Sequence, residues 1–78
     1  MTTPVTLTLG RALRDLRNHA GLTQAQVAAS ADLDPPYLSR VESGDRDLRW
    51  STVLRLLDAI GADLRQLADA IDRAEREG

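Results

Sequence analysis

The sequence predicts an all-α fold, five short helices around a single core. Three observations predict it. Apolar residues recur at helical spacing along most of the chain. Gly21, Gly44 and Gly61 fall where those periodic stretches end, the place where a left-handed backbone closes a helix. Strand-like alternation is confined to Val5, Leu7 and Leu9 between Thr6 and Thr8. With 78 residues the chain fits one small domain, and a core of that size is marginal unless a partner adds to it.

Residues 1–8 are Thr-rich with Pro4 and are expected to form an N-terminal arm, either a short extended piece or a frayed lead-in. Residues 9–78 are expected to form the domain. The first helix is predicted from about Leu9 to His19. Leu9, Ala12, Leu13, Leu16 and Ala20 share one face, and Arg11, Arg14, Asp15 and Arg17 take the others. Gly21 follows as a terminator. His19 lies in the last turn, where it complements the helix dipole.

The second helix opens at Thr23, with Gln26 three residues on in the pattern of a capping box. Val27, Ala28 and Ala31 face inward, and the alanines keep the helix slim. Asp32 stands where the chain must turn, and Asp tolerates the left-handed region better than most residues. Leu33 plugs the core from inside that turn. Asp34-Pro35-Pro36 signals the start of the third helix, because proline fits the first helical position. A residue before proline is driven from helical angles, which applies to Pro35, so the start is expected at Pro35 or one residue later. Leu38 and Val41 point inward and Gly44 ends the helix.

Residues 45–50 form a polar connection anchored by Leu48 and Trp50. The fourth helix is predicted over Ser51 to Ile60, with Val53, Leu54, Leu56, Leu57 and Ile60 making a wide apolar surface. Gly61 stops it, and Asp63 caps a fifth helix carrying Leu64, Leu67, Ala68, Ile71 and Ala74 on one stripe. Leu64 and Leu67 are assigned to the core. Ile71 and Ala74, with Trp50, are assigned to a dimer seam.

Composition excludes several classes. There is no Cys, so no disulfide, thiolate metal site or thiol nucleophile. With one His, assigned to capping, no catalytic triad or metal cluster is expected, and neither an enzyme nor a cofactor is predicted. Asp69 and Asp72 read as solubilising acids. The N-terminus has no basic start or apolar run of the signal-peptide kind, and no stretch approaches the roughly 20 apolar residues of a membrane span. A soluble cytoplasmic protein without membrane contact is expected.

The charge is unevenly placed. All ten cations are Arg. Residues 1–31 carry +2, residues 32–50 carry −2 and residues 51–78 carry −2. An acidic total opposes non-specific binding to phosphates, while a local basic face remains able to dock.

The stretch TQAQVAASADLDPPYLSRVESG, residues 23–44, meets the requirements of a helix-turn-helix. Apolar residues meet where the helices cross, Ala28 is small where the backbones approach, and the second helix presents an exposed strip to a major groove. On these residues, and on LRDLRNHAGLTQAQVA, YLSRVESG and STVLRLLDAIGADLRQL, the chain resembles the phage-repressor and Cro-like helix-turn-helix family, often called XRE. The resemblance covers about Leu9 to Leu67 and implies a lambda-repressor-like fold that binds double-stranded DNA.

It further implies roles. Gln24, beside Thr23 at the start of the second helix, would bond a phosphate. Pro35, Pro36, Tyr37, Ser39 and Arg40 would occupy the reading strip. Ser43, Arg46 and Arg49 would grip phosphates beyond it. Arg17 and Glu42 would form a structural ion pair between the first and third helices. Two departures stand out. Pro35 and Pro36 replace side chains that usually donate to bases, which leaves reading to Tyr37, Ser39 and above all Arg40, a residue type that pairs with guanine. Asp32 replaces the common glycine of the turn and implies strain. Tyr37 either contacts DNA or packs beside the turn, and Asp45 and Asp47 are expected to turn outward or pair with Arg46 and Arg49.

The resulting expectation is a sequence-specific transcriptional regulator, a repressor acting as a homodimer on a near-palindromic operator. Two alternatives accompany it. One is an antitoxin that binds its own promoter and a toxin, to which DLRWSTVLRLLDAIGADL is similar. The other is a helix-turn-helix used only for protein interaction.

Overall fold

The computed structural model describes residues 4–77. They form α1 (Val5–His19), α2 (Gln24–Ala31), α3 (Pro35–Glu42), α4 (Trp50–Ile60) and α5 (Leu64–Glu77), with no strand among the described residues. α1 packs on α5 and α3, and α2 packs on α3 and α4. Leu13, Leu38, Leu56, Val27, Val41 and Val53 are the largest side chains sealed in the core between them. Each such burial contributes about 1.5–3 kcal/mol before entropy is counted. Among the described residues no helix is long and apolar enough to cross a membrane.

α1 starts four residues before the predicted Leu9, so residues 5–8 are helix and not arm. Pro4 is the N-cap, and its carbonyl accepts from the Leu7 and Thr8 amides, both at 3.1 Å. Tertiary contact explains the extra turn. Thr8 and Gly10 are buried, and a β-carbon on Gly10 would lie 2.2 Å from the Val41 carbonyl oxygen. Gly44, at φ +85, meets Leu7 in the same way. The start of α1 is therefore clamped onto the end of α3, and residues 5–9 alternate without being a strand. At the other end Ala20 is exposed, because it is the cap residue and not part of the inward face.

α2 opens with the predicted capping box. The Gln26 amide donates to Thr23 Oγ1 at 3.1 Å and the Thr23 amide donates to Gln26 Oε1 at 2.8 Å. Asp63 and Gln66 repeat the arrangement at the start of α5, at 2.8 and 2.9 Å. Asp32 adopts φ 58 and ψ 49, the left-handed conformation expected of it. α3 begins at Pro35, the earlier of the two positions considered. α4 begins at Trp50, one residue early.

The α5 stripe differs from expectation. Leu67, Ala70 and Ala74 are buried, Ile71 is half-buried, and Leu64 is 53% exposed. Leu64 lies in the first turn, beside the α4–α5 connection, where it lines a concavity with Leu54 rather than the core. Ala74 is buried within the chain and so is not a seam residue. Ala70, which the stripe omitted, completes the i, i+3, i+7 set of Leu67, Ala70 and Ala74.

Candidate nucleic-acid interface

Helical geometry divides α3 into two faces. Leu38 and Val41 turn inward at 1% exposure, and Pro35, Pro36, Ser39, Arg40 and Ser43 turn outward. Tyr37 falls between them, half-buried and packed against the core, so its ring belongs partly to the scaffold. Pro35 and Pro36 carry no donor of either kind, side chain or backbone. Arg40 is exposed and outside every ion pair found among the described residues. A fork of five N–H groups thus stands free on the outward face, in the last turn of α3.

The groups that the resemblance assigns to phosphates differ in how available they are. The capping box takes the Gln26 amide, and the Gln24 and Ala25 amides before it have no partner inside the helix at its positive end. Gln24 sits there half-buried, and its Nε2 donates to Glu42 Oε1 at 3.0 Å. One N–H of that amide is used and the other remains. Thr23 spends its hydroxyl oxygen on Gln26 and keeps its own hydrogen. Ser43 is less available, because its Oγ donates to the Arg40 carbonyl at 3.0 Å and so commits its one donor inside the chain. Arg46 and Arg49 are exposed. Asp45 and Asp47 are exposed too, and neither is paired with them among the described residues. Asp47 instead accepts from the Leu48 amide at 2.9 Å.

Behind the strip, Arg17 and Glu42 meet as a fork. Arg17 Nε donates to Glu42 Oε2 at 2.7 Å and Nη2 to Oε1 at 2.8 Å, while Nη1 donates to the Leu22 carbonyl at 2.9 Å. The side chains are only 11% and 4% exposed. Hydrogen bonding to Glu42 raises the Arg17 guanidinium above its ordinary range, against the opposing effect of burial. Arg17, Glu42 and Gln24 form one bonded chain joining α1, α3 and α2.

Gly10 and Arg55 were not singled out in the sequence, and Gly44 was singled out only as a terminator. Gly10 and Gly44 allow α1 to reach the end of α3. Arg55, on α4, donates from Nε to the Ala31 carbonyl at 3.1 Å and from Nη2 to the Asp32 carbonyl at 3.1 Å. The unpaired carbonyls at the end of α2 were the available signal for a cation there.

Apolar side chains remain outside the core in two places. Val5 and Trp50, 79% and 60% exposed, border a groove of about 510 Å³ with Leu9, Leu67 and Ile71. Leu54 and Leu64 form the second patch, at 42% and 53%.

Comparison with known proteins supplies the family. A helix-turn-helix domain model matches residues 8–71. The HTH-type transcriptional regulator RamB of Mycobacterium tuberculosis is 33% identical over 64 residues, 82% of this chain and 14% of RamB, so the chain spans a small part of that relative. The restriction-modification controller protein C.AhdI of Aeromonas hydrophila is 34% identical, with a TM-score of 0.75 over 80% of this chain and 94% of that one. The clp gene regulator ClgR of C. glutamicum shares the fold at a TM-score of 0.89 and 24% identity, over 96% of both chains.

Proposed function

The chain belongs to the helix-turn-helix domain family, and from that premise we propose that it is a sequence-selective DNA-binding transcriptional regulator. One observation carries the reading more than any other. Arg40 stands unpaired on the outward face of α3, between the amide-rich start of α2 and the exposed Arg46 and Arg49. In this reading α3 enters the major groove, Arg40 bonds guanine O6 and N7, and Ser39 and the Tyr37 hydroxyl add contacts. Pro35 and Pro36 offer only apolar contact, to a thymine methyl or a sugar. Gln24, Thr23, Arg46 and Arg49 hold phosphates and set register. Ser43 serves the end of α3 first.

The regulator acts as a homodimer on a near-palindromic site, with the two α3 helices roughly 34 Å apart. The exposed apolar patches support this, because small domains seldom leave such side chains in water without a partner. Ile71 and Trp50 stay candidates for the seam and are joined by Leu54 and Leu64, whereas Ala74 drops out. Repression by promoter occupancy is the simplest outcome, since it needs nothing beyond docking. Its place of action is the cytoplasm, with the DNA.

The test is fluorescence anisotropy of purified protein against genomic fragments at several salt concentrations. Fragment-selective binding is expected, with log affinity falling by about 0.9 per neutralised phosphate for each tenfold rise in salt. Absence of selective, salt-sensitive binding overturns the proposal. A tight stoichiometric protein partner that co-purifies and abolishes DNA binding would point to the antitoxin role instead.

A further inference from the structure

We infer that Arg55 is a positioning residue for the turn between α2 and α3, and through that turn for the aim of α3. Asp32 is the one residue other than glycine with a positive φ among the described residues, at φ 58 and ψ 49. A β-carbon in this region crowds the neighbouring backbone, and glycine is the residue that enters it freely. A turn built on Asp therefore needs a hold from outside itself.

Arg55 provides that hold from α4. Its Nε donates to the Ala31 carbonyl at 3.1 Å, and its Nη2 donates to the same carbonyl and to that of Asp32, the latter at 3.1 Å. One planar fork grips two successive carbonyls at the point where α2 ends. These carbonyls lie past the last intrahelical bonds, and the cation sits at the negative end of the α2 dipole. The neighbouring chain is equally constrained. The Leu33 amide donates back to the Ala28 carbonyl at 2.8 Å, and α3 starts two residues later at Pro35. Pro35 has a fixed φ and holds Asp34 before it to extended angles, φ −70 and ψ 136, so the rotation left between Asp32 and α3 is mainly that of Leu33, whose amide is already bonded. A shift at Asp32 is passed into the direction of α3.

The consequence for DNA rests on the function proposed above, while the consequence for the turn does not. Four chains test both: wild type, Arg55→Met, Asp32→Gly and the double variant. Amide hydrogen exchange at Leu33 reads the turn without DNA, and anisotropy on the selected site reads docking. Arg55→Met is expected to speed Leu33 exchange at least tenfold and to weaken binding at least tenfold. Asp32→Gly in the same chain is expected to bring both back within threefold of wild type, because glycine takes the conformation unaided. A double variant as impaired as Arg55→Met overturns the inference and leaves Arg55 a general stabiliser. Rescue of exchange with no DNA binding by any chain, wild type included, upholds the turn and overturns the function. If Arg55→Met does not fold, Arg55→Lys carries the test, since it keeps the charge and loses the fork. Exchange at least threefold faster is then expected, and exchange equal to wild type overturns the inference.

Discussion

The half of the molecule built from α1, α2 and α3 and the half built from α4 and α5 treat polar and apolar groups in opposite ways. In the first half one ion pair is buried and fully bonded. Glu42 is 5% exposed, and its two oxygens receive Arg17 and Gln24. In the second half apolar groups are left in water, with Trp50, Leu54 and Leu64 at 60%, 42% and 53% exposure, and the ion pair of Asp72 with Arg76 lies on the surface. In the first half Val5, at the start of α1, is the one large apolar side chain left exposed among the described residues, and it borders the groove of the second half. The second leaves Trp50, Leu54 and Leu64 exposed, the patches proposed above for association. The difference fits the proposal that the first half docks on DNA and the second associates.

The largest effect should come from breaking the buried network. Glu42→Ala strands the Arg17 guanidinium and is expected to cost about 3–5 kcal/mol of folding stability in urea titration. A loss below 1 kcal/mol would remove the contrast between the halves. Gly10→Ala should follow, because the new β-carbon meets the backbone oxygen of Val41, which has no rotamer to yield. A loss of about 1–3 kcal/mol is expected by the same titration. Arg40→Ala should separate folding from docking: the melting temperature holds, while affinity for the selected site falls by about 1–3 kcal/mol. On the other half, Leu54→Glu combined with Leu64→Glu should alter monomer stability by no more than about 0.5 kcal/mol each. In sedimentation the same variant should lose self-association, and a dimer that persists would move the seam to Trp50 and Ile71. The smallest effect is at Arg73, whose ion pair with Asp15 is more than half exposed on both sides. Arg73→Ala should leave the melting curve unchanged.

The sequence was most legible where local chemistry decides the structure. Thr23 with Gln26 announces a capping box, Gly21, Gly44 and Gly61 mark terminations, and Asp32 sits where a left-handed residue is needed. These signals lie within a few residues of their effect. It was less legible where distant packing decides. Val5 to Leu9 alternate like a strand, yet Gly10 lets α1 lie against the Val41 carbonyl and the helix extends back over them. Leu64 and Ala74 were read as one helical stripe, and tertiary packing covers Ala74 while leaving Leu64 exposed. The outward positions of α3 were legible as a set. The commitment of Ser43 to the Arg40 carbonyl and the half-burial of Tyr37 were not, since both depend on rotamers and neighbours. Arg55 was hidden for the same reason, its partners lying 23 and 24 residues away.

The central claim is that the outward face of α3 reads DNA through Arg40. Selection of binding sites from random double-stranded DNA, run in parallel on the wild type and Arg40→Ala, tests it most directly. The account predicts an enriched near-palindrome with guanine at one fixed position in each half-site, and loss of that guanine preference with Arg40→Ala while the rest of the motif weakens less. Enrichment of no motif by the wild type, or the same guanine preference from both proteins, would contradict it.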